Sequence, residues 1–388
     1  MNSPKLRIFL VTSHISMIYA TLLAKETQRE GQKDILFIDA GKRRKGLLEL
    51  LTQASGIYNW ALFHDFSIPA SDSLDYTPTF RQSVMRRIKN WPLISIFYGL
   101  LLKRHLKRQD RNYAEMINNV LLPFANEKKE VELFLLTQTV FNRPLQKLFP
   151  TAKINYLEHG LPDYFKVLEP GFPKSSLYCV FAEGYKNYLR KRQITTDWVK
   201  QLPGLNTFSE ISAQLLAKHA STLQLDQLTV PDQPCVFVVM ESVEMYNVKP
   251  SFPVDYMKRV LQTIPDPSRF HYILKPHPMQ SQESISATVR HFQSLGYSFT
   301  LLNQASLSNA SAEILFSTWK KNIEHVFCLF SAAGFYLSEL YAGSATSFWY
   351  STEFMSKHID NAPRQYKDAF NKARPLIEEV FAEKCKTF

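Results

Sequence analysis

Ten short apolar runs rich in Val, Ile, Phe and Tyr alternate with longer stretches of helical periodicity, and they do so in both halves of the chain. In the first half the runs are Leu6–Val11, Ile35–Ile38, Glu132–Leu136, Ile154–Leu157 and Tyr178–Phe181. In the second they are Val236–Met240, Tyr272–Leu274, Phe299–Leu302, His325–Phe330 and Thr346–Trp349. Between them lie helix-like segments such as Ile15–Glu30, Phe80–Leu122 (broken at Pro92), Val254–Gln262 and Ser284–Leu295. Parallel neighbours need a crossover, so this rhythm predicts parallel sheets covered by helices on both faces. A chain of 388 residues exceeds one ordinary core. Its break falls where Pro231 and Pro234 punctuate the entry to a new strand. The expectation is an α/β chain: a Rossmann-like domain over 1–205, a linker over 206–234, a second Rossmann-like domain over 235–350 and a helical tail over 351–388.

Charge is segregated. Residues 1–200 carry 30 Lys and Arg against 18 Asp and Glu, whereas residues 201–388 carry 16 against 17. The excess concentrates in Lys42–Lys45, Arg86–Lys89, Lys103–Arg111 and Arg190–Arg192. A solvated basic face is one reading. Confinement to one half favours a polyanionic partner bound by that half, with Arg86, Arg87, Lys103, Arg104 and Lys107 among its ligands. Four cysteines without CxxC spacing, three of them inside apolar runs, read as reduced core thiols in a reducing compartment. The N-terminal run is short and interrupted by Arg7, unlike a secretory signal. The apolar run Leu93–Leu102 is about half the length needed to span a bilayer. The expected location is therefore the cytoplasm. Peripheral membrane contact through Trp91–Arg108 stands beside a buried helix as a reading of that segment.

Chemistry-bearing residues gather at the ends of expected strands, where open parallel sheets place ligands. Glu158-His159-Gly160 follows the strand KINYL, and either Glu158 or His159 would serve as base toward a hydroxyl. A solvated Glu beside a locally hydrogen-bonded His is the competing reading. Lys275-Pro276-His277-Pro278 follows HYIL, with prolines restricting the backbone around the imidazole. Ser331-Ala332-Ala333-Gly334 follows HVFCLF, and small residues opening a helix let a phosphate approach its N-terminus. Glu339 lies one to two turns on, within reach of a ribose if it faces the same way. Glu241-Ser242 ends the first strand of the second half, where Ser242 also reads as an ordinary helix cap. There is no G-x-G-x-x-G, Walker A, H-E-x-x-H or D-x-D. Without a D-x-D metal clamp, a monophosphate leaving group such as CMP suits protein donors alone.

Two doubly wound domains with a helical extension resemble the GT-B glycosyltransferases, whose nucleotide and acceptor meet across an interdomain cleft. Within that class, Glu158-His159-Gly160, His277-Pro278 and Ser331 resemble the short motifs of bacterial sialyltransferases, and the KPHP turn, basicity and length resemble the capsule polysialyltransferases. The chain departs from the acidic-acidic-Gly pattern at His159. The resemblance implies an inverting, metal-independent enzyme with CMP-sialic acid as donor, a sialylated polyanionic acceptor and no other cofactor. It implies Glu158 as general base, with His159 and Gly160 beside the acceptor. His277 would assist departure of CMP, and Lys275, Pro278, Ser331, Ala332, Gly334, Glu339, Glu241 and Ser242 would surround the nucleotide. Capsule assembly proteins are implied partners. A teichoic-acid-type CDP-polyol transferase, using His159 as base, is the nearest alternative. A non-catalytic polyanion-binding protein is the alternative outside enzymes.

Overall fold

A computed structural model describes residues 5–38, 57–65, 111–126, 130–137, 139, 141–169, 172, 175–219, 232–241, 248–277, 280–304, 307 and 310–388. Each of the ten expected strands is present, with ends displaced by up to three residues. They are β1 (Lys5–Val11), β2 (Lys33–Ile38), β4 (Glu130–Leu135), β5 (Lys153–Leu157), β6 (Ser176–Cys179), β8 (Cys235–Val239), β9 (His271–Lys275), β10 (Phe299–Leu301), β11 (Ile323–Phe327) and β12 (Ser347–Tyr350). Three short strands were not expected: β3 (Leu62–Asp65), β7 (Val199–Gln201) and β13 (Lys386–Thr387).

The strands form two sheets, ordered β3-β2-β1-β4-β5-β6-β7 and β10-β9-β8-β11-β12-β13. Pairing is parallel, with Ile8 opposite Ile35 and Leu133 in the first sheet and Phe237 opposite Ile273 and Val326 in the second. The central strands are buried along their length, as two covered faces require. Arg7, inside β1, is only 2% exposed. It survives there because its register partner is Asp34, which accepts from Nε at 2.8 Å and from the terminal guanidinium nitrogen at 2.6 Å.

The helices that concern the site are α1 (His14–Glu26), α2 (Pro162–Lys166), α3 (Ala182–Arg190), α4 (Phe208–His219), α5 (Phe252–Thr263), α6 (Gln282–Leu295), α7 (Ala312–Trp319), α8 (Ala332–Leu340), α9 (Thr352–His358) and α10 (Arg364–Leu376). Ser13 and Ser16 form a reciprocal cap that starts α1. A π-helical turn, Ile377–Phe381, follows α10 and packs the Phe381 ring on Phe181 and Tyr164, at 4.8 and 4.9 Å between centroids. The chain then returns to add β13 beside β12.

By density of internal contacts the described residues group into two compact units. One comes from Met1–Thr12, Gln28–Lys45 and Trp60–Tyr156, the other from Ser13–Thr27, Gly46–Asn59 and Leu157–Phe388. In the first, Phe9 stacks on Phe134 at 4.5 Å with Trp60 edge-on. In the second, Val236, Val238, Phe252, Tyr256, Phe292 and Met355 belong to one buried cluster against the second sheet. Cys179, Cys235 and Cys328 are buried free thiols, as their apolar settings predict. Among the described residues no helix is long and apolar enough to cross a membrane.

Candidate nucleotide-binding edge of the second sheet

From β8 the chain crosses through α5 to β9 and on to β10, then returns to β11 and crosses through α8 to β12. The direction of winding therefore reverses between β8 and β11. In an open parallel sheet this switch point, at the carboxyl ends of the strands, is where connections part and leave room for a ligand. Three of the turns singled out in the sequence follow β9, β8 and β11, adjacent strands on either side of it.

At the end of β8, Glu241 is 8% exposed and turns its carboxylate onto the β11 turn. Its Oε1 accepts the backbone N–H groups of Leu329, Phe330 and Ser331 at 3.3, 3.3 and 2.9 Å. Burial pushes its pKa up to about 7 against the opposing pull of those donors. After β11, Ser331 is the extended residue before α8 and its hydroxyl caps no N–H. Ser331, Ala332 and Ala333 are half-buried, while Gly334 is buried. A Cβ at Gly334 would lie 2.2 Å from Cys328 Sγ and 2.6 Å from its Cβ, so only glycine lets α8 approach the strand end this closely. Glu339, further along α8, pairs with Lys384 at 2.6 Å.

At the end of β9, Lys275 is 4% exposed and turns inward, donating to the Pro276 carbonyl at 3.0 Å. Burial lowers its pKa to about 8, with the buried Glu313 acting in the opposite sense. His277 is exposed, and its backbone N–H donates to Gln280 Oε1 at 3.4 Å. Gln280 also donates to Ser284 Oγ at 2.9 Å, tying the loop to the first turn of α6. Pro278 and Ser242 lie outside the described residues.

Glu158 has a different setting. It is fully buried, with Oε2 accepting the Val180 N–H at 2.6 Å and Oε1 the Tyr336 hydroxyl at 2.5 Å. Tyr164 adds a third hydrogen bond, and burial raises the carboxyl pKa to about 7. His159 is half-buried, with Nδ1 2.8 Å from Asp163 Oδ2. That same oxygen accepts the backbone N–H groups of His159 and Gly160 at 2.7 and 3.1 Å, closing the turn into α2. Sequence reasoning picked out Glu158 and missed its tyrosines and Asp163. No local pattern marks residues brought in from α2 and α8. Arg86, Arg87, Lys103, Arg104 and Lys107 lie outside the described residues. Among the described residues no group of three or more His, Cys, Asp or Glu is arranged to hold a metal ion.

No protein-family model matches the sequence, and no curated protein matches it. Solved structures do. A UDP-GlcNAc 2-epimerase from Methanocaldococcus jannaschii is 14% identical, with 98% of this chain and 94% of that chain covered and a TM-score of 0.51. The enzyme of the same organism in complex with UDP-GlcNAc and UDP is 13% identical, covering 90% and 84%, also at 0.51. A UDP-GlcNAc 2-epimerase from Neisseria meningitidis bound to UDP-GlcNAc is 13% identical, covering 85% and 78%, at 0.49. At such identities the likeness is one of fold. The chain has a GT-B-like fold of two Rossmann-like α/β domains, as its alternating pattern predicts.

The family expectation is overturned by the same finding. Both structures above that reach a TM-score of 0.51 are UDP-GlcNAc 2-epimerases, not sialyltransferases, so the capsule polysialyltransferase assignment is withdrawn. The transferase activity, the CMP-sialic acid donor, the polysialic acceptor and the capsule partners go with it. The reason is physical. Polar turns such as KPHP and SAAG occupy the carboxyl ends of strands, where an open parallel sheet places ligands of many kinds, so they do not fix a base or a sugar.

Proposed function

We propose that this chain is an enzyme acting on a UDP-sugar, with the nucleotide held at the carboxyl edge of the second sheet. The observation that carries the reading is the β8–β11 switch point with polar turns on the strands around it. The fold neighbours, solved with UDP-GlcNAc or UDP, support uridine as the base and an N-acetylhexosamine as the first sugar to try. In this reading the Ser331 hydroxyl and the N–H groups of Ala332 and Ala333, the first two of α8, receive the diphosphate. His277, exposed in the turn after β9, is a titratable group on that edge. Isomerisation at the sugar carbon next to the anomeric centre is the reaction class to test first.

Calorimetric titration with UDP-GlcNAc, UDP and CMP tests the nucleotide. UDP-GlcNAc and UDP should bind, with CMP weaker by about tenfold or more. Loss of one hydrogen bond in Ser331→Ala should weaken UDP-GlcNAc about fivefold. Proton NMR of UDP-GlcNAc incubated with the protein then reports any new sugar signal or released UDP. Absence of binding by both uridine compounds would sink the proposal.

A further inference from the structure

Three successive backbone N–H groups that point at one spot form a concavity suited to an anion. At the end of β11 such a concavity exists, and it is already filled. Leu329, Phe330 and Ser331 all donate to one oxygen of Glu241, which arrives from the end of β8 across the switch point. Taking a carboxylate out of water is costly unless it is well hydrogen-bonded. This one is spent on backbone donors of a turn, not on a cation. The other end of the turn is fixed independently, since Gly334 seats α8 directly against Cys328. Between the two fixed ends lie only Ala332 and Ala333, both half-buried, with side chains too small to cover the backbone.

We propose that Glu241 is the positioning residue of the nucleotide turn. By engaging residues 329–331 it sets the path of the chain into α8, so that the N–H groups of Ala332 and Ala333 and the Ser331 hydroxyl are the donors that meet a diphosphate. Glu241 itself does not touch the ligand. The inference rests on the UDP-sugar reading for the identity of the ligand, but the clamp on the turn stands without it.

The test combines a ligand-independent readout with a ligand-dependent one, using the full chain. Hydrogen exchange at the amides of Leu329, Phe330 and Ser331 reports the clamp, and calorimetry with UDP-GlcNAc reports its consequence. Glu241→Ala removes the acceptor, Glu241→Asp is one methylene shorter, and Glu241→Gln keeps an acceptor oxygen of the same reach. In Glu241→Ala the three amides should exchange about tenfold faster or more, and UDP-GlcNAc should bind about tenfold more weakly. Glu241→Gln should stay within about threefold of the wild type on both counts. Should Glu241→Ala fail to fold, Glu241→Asp against Glu241→Gln supplies the contrast. Wild-type exchange at 329–331 in Glu241→Ala overturns the proposal, as does lost protection with undiminished affinity. Equal damage in the Gln and Ala variants also overturns it, because charge and not position would then matter. A wild type that binds no UDP-GlcNAc removes the UDP-sugar reading and the nucleotide role together, and the exchange contrast then decides the clamp alone.

Discussion

Glu158 is a carboxyl group enclosed by phenols and backbone, with no cation hydrogen-bonded to it among the described residues. Val180, Tyr336 and Tyr164 favour its charged form, yet desolvation outweighs them and pushes the pKa to about 7. Between the ordinary carboxylate range and about 7 the folded protein therefore holds a proton that the unfolded chain has released. Its contribution to stability is fully present below that window and is lost as the pH rises through about 7, on the order of 2–3 kcal/mol. Glu241 acts in the same direction. Glu158→Gln imitates the protonated acid and should reduce the decline in unfolding free energy between pH 5 and pH 8 measured in urea. The Glu158→Gln/Glu241→Gln pair should reduce it further. An unchanged slope in the single variant would show that Glu158 is already ionised across this range. Tyr336→Phe should destabilise the fold by about 1–3 kcal/mol, since it leaves one carboxyl oxygen buried without its donor.

The β11 turn and α8 depend on a contact that tolerates no added atom. Gly334→Ala must move either Cys328 or the helix, and both are buried. Overpacking of this kind should cost about 1–3 kcal/mol in equilibrium denaturation and should also weaken UDP-GlcNAc, because the helix N-terminus shifts with the turn. Gly334→Ala paired with Cys328→Ala, which removes the nearer crowding atom but leaves the Cβ at 2.6 Å, should recover only part of both losses. At this scale much was legible. Each long strand is an apolar run between polar ends, and the order of runs gave the two-sheet plan. The sequences of β3 (LFHD), β7 (VKQ) and β13 (KT) are short or polar, and pairing at the sheet margins holds them, so no periodic signal announces them. The KPHP turn was read correctly as a strand end, but Lys275 was expected beside the nucleotide. It folds inward toward the carbonyl of the next residue, Pro276, and nothing in a dipeptide shows which way a strand-end side chain turns.

For the molecule as a whole, the GT-B-like plan was legible and the substrate was not. Alternation of strands and helices follows from backbone pairing and is written along the whole sequence. The choice of nucleotide and sugar depends on side chains in a few turns. The charge split between halves pointed to a polyanion because net charge alone cannot distinguish an acceptor groove from a solvated face. A ligand that binds only the native state stabilises it by mass action, by about 2.7 kcal/mol at a hundredfold excess over Kd. The described residues form two units, each with its own buried core, and the proposed nucleotide edge lies in the second. UDP-GlcNAc at that excess should therefore slow hydrogen exchange of the most protected amides in β8, β9 and β11 by about a hundredfold. Those of β1 and β2, in the first unit, should change much less. The reverse pattern, slowing confined to β1 and β2, would move the nucleotide to the first sheet. Equal slowing in both would show that the two units unfold as one.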